Sequence, residues 1–463
     1  MAEYQKDLEP IENETELVEQ MAEKTRAIVE NEALRNSGGV FATATVYNNI
    51  VLLCSADKYI YALEKTTGKL VWKFLTGGAM VSYPVVRNGI IYVGSYDNYV
   101  YALNASDGSL VWKFRTGDIM FSPAAADEYI YAAGLDKYLY ALNARTGELV
   151  WKFRTGNILV VAPVIVNDMV LIASDDFNVY SVDRKTGSLI WKFHSTGPST
   201  TLALMTASGR MLSDASYHEP IKTQEQVIVC FGTWGSDHIF MLDAKTGRLI
   251  SHDRLMSGKL FFPTVYDGVF YCGSEDQNMY AFELKTGRIL WKFQTGGIIS
   301  GCPLIHNGTI YFGSYDNCLY ALDAKTGAPN WKFRTDGSMT AAPVIDSNIL
   351  YIGSADAHLY AIDIQKHELI WKFRTSAPPV KLEIAEQLSS FKRLKRAIIR
   401  WWKPEPRIMV YETKPAIQQA GGPAAYKTEI GYKSEVGYKS SMPSGYEMQK
   451  EKKKDWRSDP WAK

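Results

Sequence analysis

Leu322-Asp323-Ala324-Lys325-Thr326-Gly327-Ala328-Pro329-Asn330-Trp331, continued by Lys332-Phe333, is the stretch from which the fold is read. Trp-Lys-Phe recurs at Trp72, Trp112, Trp151, Trp191, Trp291, Trp331 and Trp371, at intervals of 40, 39, 40, 100, 40 and 40 residues. The long interval hides another copy, Leu242-Asp243-Ala244-Lys245-Thr246-Gly247-Arg248-Leu249-Ile250-Ser251, with Ser251 in the tryptophan position. Eight repeats therefore fill residues 38–375, and the fifth carries an insertion over about 197–225.

Each repeat reads as four short strands separated by turn signals. In the second they are Ser82-Tyr-Pro-Val-Val, Ile90-Ile-Tyr-Val-Gly, Tyr99-Val-Tyr-Ala-Leu and Leu110-Val-Trp-Lys-Phe. Four-stranded units of about 40 residues predict an all-β, eight-bladed propeller of antiparallel blades. Ring closure buries both faces of every blade, whereas a lone sheet would leave one apolar face wet. The phase of the repeats predicts entry on an inner strand and exit on an outer one, with no strand exchanged between the termini.

The repeat resembles the quinoprotein-type (PQQ-like) propeller family, whose signature is A-x-D-x-x-T-G-x-x-x-W. Ala321, Asp323, Thr326, Gly327 and Trp331 match it fully, and the likeness covers about 340 of 463 residues. It implies that Trp72, Trp112, Trp151, Trp191, Trp291, Trp331 and Trp371 join blades by docking on the neighbouring motif, with Gly327 as part of such a motif. A flat indole can cover a glycine peptide plane, and its burial is worth roughly 2–3 kcal/mol. Two copies depart from the pattern: the fifth has Ser251, and the eighth reads Gln365-Lys366-His367 instead of Thr-Gly. The fifth blade is expected to be the least well docked, and the glycine plane is absent from the eighth.

Enzymes of that family hold pyrroloquinoline quinone and calcium over the propeller axis with charged residues, and many carry adjacent cysteines. This chain has no Cys-Cys pair, and its loops entering the inner strands are apolar. It also lacks G-x-S-x-G, H-E-x-x-H and phosphate-loop motifs. The reading is that of the family's non-enzymatic members: no catalytic, cofactor or metal residues and no small-molecule substrate. A quinone- or metal-dependent oxidoreductase is the alternative.

Counting back 32 residues from the tryptophans gives Met80, Ile119, Leu159, Ile299 and Met339, with Val40 and Lys259, as the candidate channel mouth. They form either a hydrophobic funnel for a peptide or packing that plugs the axis. Aspartates 15 residues before most tryptophans (Asp57, Asp97, Asp136, Asp176, Asp276, Asp316, Asp356) read as hairpin-turn residues rather than a catalytic ring. Four histidines in or beside the fifth repeat, His194, His218, His238 and His252, read as structural or solvent groups rather than a metal site.

The ends differ from the nearly neutral middle: residues 1–37 carry net charge −6, residues 376–463 net +8, and the whole chain +1. Residues 1–37 are expected to hold an acidic amphipathic helix, with Leu17, Met21 and Ile28 at helical spacing. Residues 376–403 predict a basic amphipathic helix carrying Lys392, Arg393, Lys395 and Arg396 and tipped by Trp401-Trp402. That helix suits a protein groove, an anionic membrane surface or RNA phosphates. Residues 404–463 form a low-complexity tail, expected to be disordered, in which Tyr426, Tyr432 and Tyr438 head six-residue repeats able to add to a partner's sheet edge.

Five cysteines without C-x-x-C spacing fit a reducing compartment, and the polar, acid-rich N-terminus does not resemble a signal peptide. The expectation is a cytoplasmic, non-enzymatic scaffold whose termini recruit a protein partner. A membrane- or RNA-tethered complex subunit is the second alternative.

Overall fold

In the computed structural model, the described residues are 38–197, 202–206, 211–213, 221–233, 238–254, 261, 263–284 and 286–375, with 16, 18–20 and 23 near the N-terminus. Consecutive strands form eight antiparallel sheets, from Thr45–Tyr47 in the first to Glu368–Arg374 in the last. The second sheet shows the pattern: Val85–Arg87, Ile90–Gly94, Tyr99–Asn104 and Leu110–Arg115. Each blade starts with its inner strand and ends with its outer one, so no strand crosses between the termini.

Burial follows position in the blade. The third strand is buried on both faces along its middle, whereas the outer strand buries chiefly its tryptophan and exposes the residues beside it. The tight turn from inner to second strand uses left-handed residues, as at Asn88 (φ 51°) and Gly89 (φ 77°), the torsions of a hairpin matched to strand twist. On the outer strand the register slips at one place in every blade, between Ala102 and Leu103 opposite Trp112 and Leu110 in the second. Such bulges bend the exposed edge and blunt it against pairing with another strand.

The core is a series of layers between blades. Leu52, Ile60 and Trp72 of the first blade pack with Ile91, Val93 and Tyr101 of the second. Trp371 and Tyr351 of the eighth pack with Val51 and Tyr61 of the first, which closes the ring. The seam is also pinned by Val40 N–H donating to the Ser354 carbonyl (3.1 Å) and Thr375 Oγ1 donating to the Gly38 carbonyl (2.7 Å).

Two expectations need correction. The fifth blade has five strands, because inserted residues Met211–Ser213 pair beside its inner strand Ala203–Thr206. The extra strand lies on the edge that in the other blades faces the ring axis. The second concerns extent: at the N-terminus helical backbone is described for Glu16, Val18, Glu19, Gln20 and Glu23 alone, so the helical extension expected over residues 1–37 is supported only there. The expected basic helix and tail lie outside the described residues.

Candidate interaction surfaces

Blade junctions repeat one geometry. The indoles of Trp72, Trp112, Trp151, Trp191, Trp291 and Trp371 lie against Gly108, Gly147, Gly187, Gly247, Gly327 and Gly68 of the following blade. A Cβ on any of these glycines would fall 2.5–2.7 Å from the indole, and their φ angles lie between +68° and +75°. Glycine is therefore required twice, for space and for torsion. The indole N–H also donates across the junction, as from Trp112 to the Ala144 carbonyl (2.9 Å) and from Trp371 to that of Lys65 (3.1 Å).

The same carbonyls accept a second bond that sequence reasoning missed. Tyr92, Tyr131, Tyr271 and Tyr351 donate their hydroxyls to the carbonyls of Ala144, Arg184, Ala324 and Lys65 at 2.8–3.1 Å. Their recurrence at one position of the second strand was the available signal. Burial pushes the Tyr92 and Tyr271 hydroxyls up to about 12.

The exceptional blades resolve differently. Trp331 stacks on the imidazole of His367 (5.2 Å between centroids, 27°), and His367 keeps the left-handed torsion of the glycine it replaces (φ 60°). Among the described residues the buried hydroxyl of Ser251 has no hydrogen-bond partner.

The repeated aspartates are turn residues, as expected, and also tie blades together. Asp97 Oδ1 accepts the Tyr99 N–H (3.2 Å), while Oδ2 accepts the Tyr101 hydroxyl (2.6 Å) and the Gly77 N–H (2.7 Å) from the loop leaving the preceding blade. Asp136, Asp176 and Asp316 make the same set. Burial, and after it the aspartate, raises the tyrosine hydroxyls well above their ordinary range.

The candidate mouth positions do not form an open funnel. Met80, Leu159, Ile299 and Met339 have no exposed surface, and the first three sit in clusters between neighbouring blades. Ile119 belongs to a different position. The third repeat is one residue short in the loop entering its inner strand, Ser122-Pro123 against Ser82-Tyr83-Pro84, so Met120 matches Met80: each donates its N–H to the carbonyl of the serine opening the preceding turn, Ser95 and Ser55. Ile119 instead packs with Leu135 and Ile158.

The fifth-blade insertion spans two blades. Ile221 forms a parallel bridge to Val166 on the inner strand of the fourth blade, and Lys222 reaches Asp127 of the third (3.3 Å). Asp127 also pairs with Arg184, which bonds Asp168 (3.2 Å), and the Arg184 hydrogen bond holds the Asp127 carboxyl below its usual range.

His238 and His252 stack at 4.7 Å, with Nδ1 and Nε2 2.6 Å apart, while His194 contacts Phe177 and His218 lies outside the described residues. Among the described residues no three His, Cys, Asp or Glu side chains are placed to hold a metal. All five cysteines are buried, and burial pushes Cys230 up to about 12 and Cys318 up to about 11.

The outer wall is apolar in a regular way. Leu70-Val71, Leu110-Val111, Leu149-Val150, Leu189-Ile190, Ile289-Leu290 and Leu369-Ile370 are each 38–51 % exposed. Two blades interrupt the series, the fifth by packing Leu249 against the core beside exposed Ile250 and the seventh with Pro329-Asn330. Lys392, Arg393, Lys395, Arg396, Trp401, Trp402, Tyr426, Tyr432 and Tyr438 all lie outside the described residues.

The fold and its tryptophan–glycine junctions define a PQQ-like β-propeller. The family profile described as outer membrane protein assembly factor BamB matches residues 14–121, 116–259, 215–301 and 294–399, and the chain belongs to that family. Similar solved structures include the computationally designed Ika8 protein, with 17% identity, TM-score 0.58, and coverage of 68% of this chain and 94% of that one. BamB from Moraxella catarrhalis is similar at 16% identity, TM-score 0.52, and coverage of 70% and 91%. A search of curated proteins finds no significant match.

Proposed function

We propose that this protein is a non-enzymatic scaffold whose rigid ring presents surfaces to protein partners. The observation that carries the reading is the outer wall, where adjacent blades expose paired aliphatic side chains at the same height. A repeated apolar surface of this kind marks contact with another protein more readily than chance exposure does. The bulged edges favour side-chain contact over strand addition. Family membership supports the same class of role, since the profile is that of an assembly factor.

The absence of an enzymatic role is part of this proposal. It is supported by the repeated carboxylates, whose oxygens already hold tyrosine hydroxyls and loop amides, and by thiols that burial keeps protonated. A cytoplasmic location is proposed on the cysteines alone, five single buried thiols. Partner recruitment is assigned to the wall together with the basic and tyrosine-rich residues after Thr375.

The test is capture from native extract with the full chain, a chain ending at Thr375, and a full chain carrying Val111→Lys and Val150→Lys. Shared partners lost by the wall variant support the ring as platform; loss only on truncation places recognition in the tail. Stoichiometric binding of pyrroloquinoline quinone with calcium, seen by absorbance, would overturn the non-enzymatic reading.

A further inference from the structure

The loops that lead from one blade into the next, together with the turns between second and third strands, crowd one face of the ring. Their innermost positions are joined by main-chain bonds: Leu135 N–H donates to the Ile119 carbonyl and Asp175 N–H to that of Ile158, both at 3.0 Å. An open mouth would leave such side chains wet, yet Ile119, Leu135 and Ile158 are at most 3 % exposed and Asp175 is also 3 % exposed. Tyr96, Phe121 and Val160 pack against the three aliphatic side chains and are themselves only partly buried, so burial this complete calls for a further cover.

The cover is identified by one contact. Asn157, itself 2 % exposed, donates from Nδ2 to the main-chain carbonyl of Val18 at 3.1 Å, across 139 residues of sequence. The rest of Asn157 is fixed. Its Oδ1 accepts the Ile158 N–H (2.9 Å), and its own carbonyl accepts the hydroxyls of Thr155 (2.7 Å) and Ser174 (3.1 Å). In other repeats the same place, marked by the threonine hydroxyl bonded to its carbonyl, holds Gly78, Gly297 or Gly337, and in the loop entering the third blade Asp118. A Cβ at those glycines would fall 2.4–2.6 Å from a backbone nitrogen of the next turn. Asn157 and Asp118 therefore both depart from glycine at this place, and of the two only Asn157 carries an amide donor, which points at the N-terminal segment.

That segment has the character of a helix laid on a surface. Glu16, Glu19, Gln20 and Glu23, at helical spacing, are exposed, whereas Val18 is half-buried. The sequence puts the apolar Leu17 and Met21 beside it.

We propose that this mouth is a helix-binding site, and that its occupant is the chain's own amphipathic N-terminal segment around Val18, held by Asn157 and the Ile119–Leu135–Ile158 cluster. The contact is apolar with one directed hydrogen bond, so it is only weakly sensitive to salt. While the segment is in place, the mouth is closed to any other ligand.

The experiment uses the full chain with a protease site inserted between Arg35 and Asn36, cut after folding. The released segment is expected to co-elute with the ring in size exclusion and to be displaced by a synthetic peptide of residues 8–35 at about 100 μM, but not by the same peptide carrying Val18→Glu. Asn157→Asp, which turns the donor into an acceptor facing a carbonyl, should weaken retention about tenfold. Lys325→Ala, at an exposed turn of the seventh blade, should leave retention unchanged. Release of the segment on cleavage without rebinding of the peptide overturns the proposal. So does retention indifferent to Val18→Glu in the peptide, a result that stands even where Asn157→Asp fails to fold.

Discussion

The indole of Trp331 lies over the imidazole of His367, 5.2 Å between ring centroids, in the place where six other junctions set a tryptophan on glycine. His367 holds a torsion that costs a non-glycine residue about 1–2 kcal/mol, and the ring stack returns about 0.5–1.5 kcal/mol. His367→Gly should therefore change stability by between about 0.5 kcal/mol lower and about 1.5 kcal/mol higher, whereas His367→Ala keeps the torsional cost and loses the stack. Thermal melting should rank alanine clearly below glycine; equal melting of alanine and glycine would show that the torsion costs nothing, and equal melting of alanine and wild type that the stack contributes nothing.

Two glycines separate space from torsion. Gly68 (φ 68°) faces Trp371 at the ring closure, with 2.6 Å to an added Cβ, while Gly268 (φ 73°) has nothing within 4 Å. Gly268→Ala should cost about 1–2 kcal/mol, and Gly68→Ala about 1–3 kcal/mol more from overpacking. Denaturant midpoints measure the difference, and similar losses at both sites would contradict tight closure at Trp371.

Removal of an indole leaves a cavity between blades. Trp112→Ala should cost about 3–5 kcal/mol. At the variant position, Ser251→Ala deletes a buried hydroxyl that has no partner among the described residues and should be neutral or stabilising by up to about 1 kcal/mol. Chemical denaturation of the two variants checks the contrast.

Asp97 connects three donors on two loops. Asp97→Ala leaves the Tyr101 hydroxyl and two amides without that acceptor, at about 1–3 kcal/mol for each group that water cannot reach. Hydrogen exchange should accelerate first at Gly77 and Tyr99. Unchanged exchange at Gly77 would remove the aspartate from the blade junction.

Alkaline stability follows from the tyrosines. Burial raises Tyr92 and Tyr271 from the ordinary 10 up to about 12, and raises Tyr101, Tyr140 and Tyr320 as well. The folded state thus keeps protons that the unfolded state has released. Their contribution is whole below pH 10 and is lost as pH rises through about 12. Tyrosinate absorbance should therefore rise together with loss of β circular dichroism in one steep alkaline transition. Gradual titration of all tyrosines with the fold intact would exclude this coupling.

Blade count, strand phase, the eight tryptophan slots and the turn aspartates are all legible in the chain before it folds. Each is a local pattern repeated at fixed spacing, so copies such as Leu242–Ser251 and Leu322–Trp331 corroborate one another. Only the tertiary structure decided what each group meets across a junction: Gly147 under Trp112, the Ala144 carbonyl between Trp112 and Tyr92, Gly77 on Asp97. Those partners lie in other repeats, and their distances are set by closing the ring. A fixed count placed Ile119 with Met80, because one residue missing from the loop before the third inner strand shifts the count, and main-chain bonding shows that Met120 is the match. The insertion's reach from the fifth blade to Val166 and Asp127, and the contact of Val18 with Asn157, have no sequence periodicity at all. They arise from surfaces that exist only once the blades have packed.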